Sequence, residues 1–136
     1  METIVMNKDE LLFELCKTLL ADNEVVGNDD WSKVVIGGSV EGGSASLSGF
    51  CFDAQGDWEA AAPRNRQALV LRRQLREAMA DMSPDHKPWK ACRNVIGANG
   101  KFAADFDYDD AARWAIGPAT HAQRLAEFAA QAVPGG

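Results

Sequence analysis

The run from Lys101 to Tyr108, entered through Asn99-Gly100, constrains this chain more than any other feature. Phe102, Ala104, Phe106 and Tyr108 alternate with Lys101, Ala103, Asp105 and Asp107. A period of two sends successive side chains to opposite faces of a strand, so one face is apolar and needs cover. Asn-Gly favours a tight hairpin turn, which places a partner strand immediately upstream, within Trp89–Ile96. Strands joined this way run antiparallel. The register depends on the turn. A loop of two or four residues puts Arg93 and Val95 on the aromatic face, and a loop of three puts Cys92, Asn94 and Ile96 there.

The remaining segments supply the cover. Leu11, Leu12, Leu15, Cys16, Leu19 and Leu20 form one stripe of a first helix, with Asn7 as N-cap and Glu10 completing a capping box. After a loop at Gly27–Asp30, Trp31–Ile36 and Ser44–Phe52 read as strands, with Val40-Glu41-Gly42-Gly43 as their turn. The glycine-rich stretch Gly37–Ser44 lacks phosphate-loop spacing and reads as a hairpin tip. Gly56 breaks the chain, and Asp57-Trp58-Glu59 reads as a polar loop. A long helix follows Pro63. Ala68, Leu71, Leu75, Ala78, Met79 and Met82 form its apolar face, and Arg64, Arg66, Arg72, Arg73 and Arg76 its solvated remainder. Ser83-Pro84 ends it. A short helical segment is expected at Ala111–Ala115, and a last helix from about Ala119 to Ala132, with Pro118 near its first turn and Leu125, Phe128 and Ala129 buried. A strand within Met1–Met6 would add an edge.

The order α-β-β-α-β-β-α predicts an α+β fold: a single antiparallel sheet of about four to five strands with helices packed on one face. The 136 residues suit one domain spanning 1–136, with a loose tail at Pro134-Gly135-Gly136. No apolar run reaches the ~18 residues of a membrane span. Met1–Glu10 has no basic n-region or apolar h-region, so the expected location is the cytoplasm. Cys16, Cys51 and Cys92 then read as reduced, buried thiols.

Net charge is −6, unevenly spread: −9 over residues 1–62, +6 over 63–103 and −3 over 104–136. An acidic chain is a poor partner for nucleic-acid phosphates and a good one for a basic protein. Candidate chemistry is thin. Asp105 and Asp107 share a strand face, as a metal-dependent hydrolase would require, but no base or third ligand accompanies them. Asp109 and Asp110 read as turn caps. Ser46 or Ser48 with His86 or His121 has no nucleophile elbow, and Cys51 is flanked by phenylalanines. These residues predict no catalytic residue, no metal and no cofactor. They favour a binding surface made of Asp53, Asp57, Trp58, Glu59, Asp105, Asp107 and Asp109, with Trp58 as an aromatic anchor between acids.

One segment resembles a known family. Trp89-Lys90, Asn99-Gly100-Lys101-Phe102, Phe106-Asp107-Tyr108-Asp109-Asp110 and Arg113-Trp114, preceded by the Leu69–Met82 helix, resemble the C-terminal signature of YezG-type immunity proteins. That family belongs to bacterial polymorphic toxin and contact-dependent growth inhibition systems. Its pattern is a Trp-initiated strand, a Gly-Lys-Phe turn and strand, and a Phe-x-Tyr-Asp ending. The resemblance covers residues 68–115, and the glycine-rich N-terminal half departs from it. It implies a non-catalytic α+β protein that binds and blocks one cognate toxin domain, in such systems often a basic nuclease. The other classes are a non-catalytic adaptor or effector chaperone, and a small hydrolase working through Asp105 and Asp107.

Overall fold

The computed structural model describes residues 8–27, 30–41 and 44–133. The expected Asn7 cap, the expected strand within Met1–Met6, Gly42 and Gly43 of the expected turn and the Pro134-Gly135-Gly136 tail lie outside the described residues. Helix α1 (Lys8–Leu20) is followed by strands β1 (Trp31–Glu41), β2 (Ser44–Ala45), β3 (Ser48–Asp53) and β4 (Trp58–Ala61). Helix α2 (Gln67–Met82), strands β5 (Ala91–Gly97) and β6 (Phe102–Asp107) and helix α3 (His121–Ala130) complete the chain. The strands form one antiparallel sheet in the order β4-β3-β1-β5-β6, with β2 a hairpin extension of β1. The fold is α+β. Among the described residues no helix is long and apolar enough to cross a membrane.

Strand β1 is the centre of the sheet. Val34, Ile36 and Val40 point into one core with Leu11, Leu15, Leu19, Leu71, Leu75 and Trp89, beneath α1 and α2. Val35 points the other way, into a second core with Phe50, Phe52, Val95, Trp114 and Phe128. A strand covered on both faces has no polar alternation, which explains its run of β-branched residues. The expectation of helices on one face is met by α1 and α2 and corrected by α3, which covers the opposite face. Its Phe128 is the reason, because Phe50, Phe52 and Val95 form an apolar surface that a one-sided arrangement would leave wet.

The glycines read as a hairpin tip belong partly to β1 itself. Gly37 and Gly38 lie within the strand, paired with Arg93 and Cys92 of β5. A Cβ on Gly37 would stand 2.8 Å from Trp114 Cβ, and one on Gly38 would stand 1.9 Å from the Ser46 carbonyl oxygen. Glycine in a strand here marks close approach from both layers rather than a turn. The turn in β5–β6 is the three-residue one. Ile96 pairs with Phe102, and Gly97 donates to the Lys101 carbonyl at 2.9 Å, leaving Ala98-Asn99-Gly100 as the loop. Gly100, at φ 84°, takes the left-handed position such a loop requires. Cys92, Asn94 and Ile96 therefore share the face of Phe102, Ala104 and Phe106.

Other boundaries shift. The long second strand divides into β2 and β3, and Trp58–Ala61 is a strand where a loop was expected. Ala111–Trp114 forms a hydrogen-bonded turn, not a helix. Met82, the last residue of α2, is 66% exposed, and Ala129 is exposed too, since it points away from the sheet while its neighbour Phe128 is buried. Lys33 reaches the C-terminal end of α3 and donates to the carbonyls of Phe128, Ala129 and Gln131 at 3.0, 2.8 and 2.8 Å. It satisfies acceptors that a helix end leaves unpaired. Burial holds its pKa below the ordinary lysine value.

Asp22 ties the turn after α1 to the approach of α2. Its Oδ1 accepts from the Glu24 N–H at 2.9 Å, and its Oδ2 from the N–H groups of Arg64 and Asn65 at 2.6 and 2.8 Å. Burial pushes its pKa up, but the three N–H donors and the Arg64 charge outweigh it and hold the carboxyl below its ordinary value of 3.8. A carboxylate lowered in the fold stabilises it above the ordinary value, and that contribution disappears as pH falls through the lower folded one. Asp22→Ala should cost about 1–3 kcal/mol at neutral pH by stranding three donors. The gap from wild type should narrow in acid, as denaturant unfolding at several pH values would show. An equal gap at all pH values would contradict the role.

Candidate partner-binding site

The seven acidic and aromatic residues singled out in the sequence do not form one surface. Asp53, Asp57, Trp58 and Glu59 lie at the β3–β4 edge, whereas Asp105, Asp107 and Asp109 lie on and after β6, the opposite edge. Four strand spacings separate the edges, about 19 Å. The expectation of a continuous acidic patch is corrected by topology: both hairpins run outward from β1, in opposite directions.

At the β4 edge, a tight turn sets the geometry. Asp53 Oδ1 accepts from the N–H groups of Gln55 and Asp57 at 2.9 and 3.0 Å, and the Asp53 N–H donates to the Asp57 carbonyl at 2.9 Å. This presents Asp57-Trp58-Glu59 at the rim of the sheet. Trp58 pairs with Phe52 in the ladder and packs edge-on against Phe50, with centroids 5.3 Å apart. The His121 ring of α3 lies 5.5 Å from it on the same side. These contacts hold one side of the indole while 43% of the residue stays exposed. A polar loop was expected because Trp58 stands between two acids. The strand forms where Trp58 pairs with Phe52 and extends the apolar face of Phe50 and Phe52 toward the rim. Trp31, Cys51, Phe52, Asp53, Asp57, Trp58 and Glu59 line a shallow pocket there. Among the described residues no cation forms an ion pair with Asp53, Asp57 or Glu59.

The β6 acids are occupied differently. Asp105 pairs with Arg93 at 2.8 Å, and the Arg93 guanidinium lies 5.2 Å from the Trp114 ring centre and 5.9 Å from that of Phe128. Asp107 Oδ1 accepts from the N–H groups of Asp109 and Asp110 at 2.9 and 2.8 Å. Those donors, Asp110 first, hold its carboxyl below the ordinary range. Asp109 pairs with Lys87 at 2.9 Å. These carboxylates shape and pin the chain around β6, and a partner would have to compete with those bonds.

The thiols are poorly set for nucleophilic chemistry. Cys16, Cys51 and Cys92 are buried and unpaired. Burial, with Cys92 nearby, pushes Cys16 up to about 12. Burial raises Cys92 as well, and burial followed by the charges of Glu59 and Asp53 raises Cys51. Among the described residues no three His, Cys, Asp or Glu side chains gather closely enough to hold a metal ion. His121 packs edge-on against Phe50 with centroids 5.4 Å apart.

Arg72 departs furthest from its expected position. Placed on the solvated face of α2, it is fully buried. Its Nη2 donates to the carbonyls of Cys92 and Gly38, its Nη1 to that of Ser46 at 3.3 Å, and its guanidinium lies 5.8 Å from the Trp89 ring centre. The signal was present in the spacing. Position 72 is four after Ala68 and three before Leu75, on the buried stripe itself. Arg64, Arg66 and Arg73 are exposed as expected.

No protein-family model matches the chain, and no curated protein matches it in sequence. The geometry of the two edges is therefore what supports any functional reading. It separates structural from available acids. Asp105→Ala should cost about 1–2 kcal/mol by leaving Arg93, only 13% exposed, without its partner. Asp57→Ala should change stability by less than about 0.5 kcal/mol. Denaturant midpoints of the two variants check the contrast, and equal losses would contradict it.

Proposed function

We propose that this protein is an immunity protein: a non-catalytic inhibitor that binds a cognate toxin domain in the cytoplasm of the producing cell and blocks it. The observation that carries the reading is the β4 edge, where Trp58 stays half exposed beside Phe50 and His121, Glu59 stands on the opposite face beside Cys51, and among the described residues no cation forms an ion pair with Asp53, Asp57 or Glu59. An aromatic ring fixed on one side and open on the other loses little freedom on binding, which is how interface anchors work. Carboxylates without a cation along the same edge favour a basic surface and speed encounter with it. The resemblance of residues 68–115 to YezG-type proteins supports the same reading and supplies the toxin as partner. The overall charge of −6 suits a basic toxin, such as a nuclease that must itself hold nucleic acid.

In this account Trp58, Asp57 and Glu59 form the contact, Asp53 positions them through its bonds to the Gln55 and Asp57 N–H groups, and Asp105, Asp107 and Asp109 support the fold. The test is co-expression with the toxin domain encoded beside the gene. Wild type should restore growth and bind the toxin with an association rate that falls as salt rises. Trp58→Ala should weaken binding by about 2 kcal/mol or more, roughly 30-fold, with some loss of stability from its contacts to Phe50 and His121. Asp57→Ala should weaken binding while the melting temperature holds. Failure of wild type to protect or bind would refute the immunity reading, and full binding by both variants would refute the site.

A further inference from the structure

The pairing of β3 with β4 determines which backbone groups of the edge strand are free. The Asp53 N–H to Asp57 carbonyl bond marks those two residues as a hydrogen-bonded pair. In an antiparallel ladder such pairs alternate with non-bonded ones, so Cys51–Glu59 and Gly49–Ala61 face inward, whereas Trp58 and Ala60 turn their N–H and C=O groups away from β3. No other strand lies beyond β4 among the described residues, and the chain closes over the edge only after it, where the Ala62 N–H donates to the Glu24 carbonyl at 3.3 Å. Two amides and two carbonyls are thus left outward, beside Trp58 and directly next to Asp57 and Glu59.

We propose that the free edge of β4 takes up an extended, basic segment of the partner as an added strand. This rests on the partner-binding reading above and specifies how the partner is held. Main-chain bonds to Trp58 and Ala60 would supply the pairing, and lysine or arginine side chains at alternate positions would meet Asp57 and Glu59. The charge decides against the other natural occupant, a second copy of this chain. Pairing β4 antiparallel with itself would set Glu59 against its own copy in the register centred on Glu59, or Asp57 against Glu59 in the one centred on Trp58, and like charges across a ladder repel. The β6 edge is the weaker candidate, since its acids are already bonded to Arg93, Lys87 and the local backbone.

The experiment uses the whole protein with two soluble decapeptides, one alternating lysine with valine and one alternating glutamate with valine. The lysine peptide should bind, shift the Trp58 and Ala60 amide resonances and slow their hydrogen exchange, and the glutamate peptide should not bind. Ala60→Pro removes one outward N–H without touching the β3 ladder, a position where an edge strand accommodates proline. It should weaken the lysine peptide at least tenfold. The double variant Asp57→Lys, Glu59→Lys, which leaves the backbone alone, should exchange the preference between the peptides. No binding of the lysine peptide, equal binding of both, or shifts confined to residues 102–106 would overturn the proposal. A dimer that Ala60→Pro dissociates would also overturn it, in favour of a second copy. Such a failure alongside intact growth protection would leave the immunity reading standing and remove only this mode of contact.

Discussion

The two glycines in the middle of β1 let the layers of this fold approach the sheet from both sides. Gly37 accepts Trp114 and Phe128 from the α3 side, and Gly38 accepts Ser46 and the Arg72 guanidinium from the α2 side. A side chain at 38 would meet backbone rather than a yielding side-chain tip, so the structure has little means of relaxing around it. Arg72 in turn bridges β1, β5 and the segment after β2 through their carbonyls. It has no carboxylate partner among the described residues, so its charge is carried by carbonyl dipoles and the face of Trp89. The opposite layer has its own cation in Lys33, which anchors the end of α3. Each face of the sheet therefore has an apolar core and one buried cation bonded to main-chain oxygens.

Much of this was legible in the sequence where periodicity is strong. The Leu11–Leu19 stripe, the Ala68–Leu75 stripe and the β5–β6 hairpin all follow from local spacing. The register of that hairpin was not legible, since Asn-Gly fits more than one loop length and only the packing of Ile96 and Cys92 beneath α2 selects among them. Glycines 37 and 38 resembled a turn because their reason for being glycine lies in residues distant in sequence, Trp114 and Arg72. The side of the sheet taken by α3 was hidden for the same reason. Phe50 and Phe52 alternate with Cys51, and both sets are buried, so no polar face announced which side would be open.

The candidate site was half visible. Composition located the acids, and the pattern Asp57-Trp58-Glu59 identified an unusual tryptophan, but sequence distance could not tell which carboxylates would be bonded within the fold. Arg93 neutralises Asp105 because β5 and β6 are neighbours, and Lys87 reaches Asp109 across the loop before β5. Among the described residues no cation pairs in this way with an acid beside β4. Of the acids in residues 1–62, the most acidic part of the chain, Asp53, Asp57 and Glu59 stand at this rim. The aromatic contacts among Trp58, Phe50 and His121 hold the indole there.

The two edges of the sheet make opposite demands on where a bound toxin domain would protect the backbone. Hydrogen–deuterium exchange of the protein alone and in complex with the toxin domain addresses this without any substitution, since it reports backbone protection residue by residue. Protection concentrated in residues 53–61, with 102–110 unchanged, is the predicted result. Protection centred on 102–110, with 53–61 exchanging as freely as in the unbound protein, would contradict it.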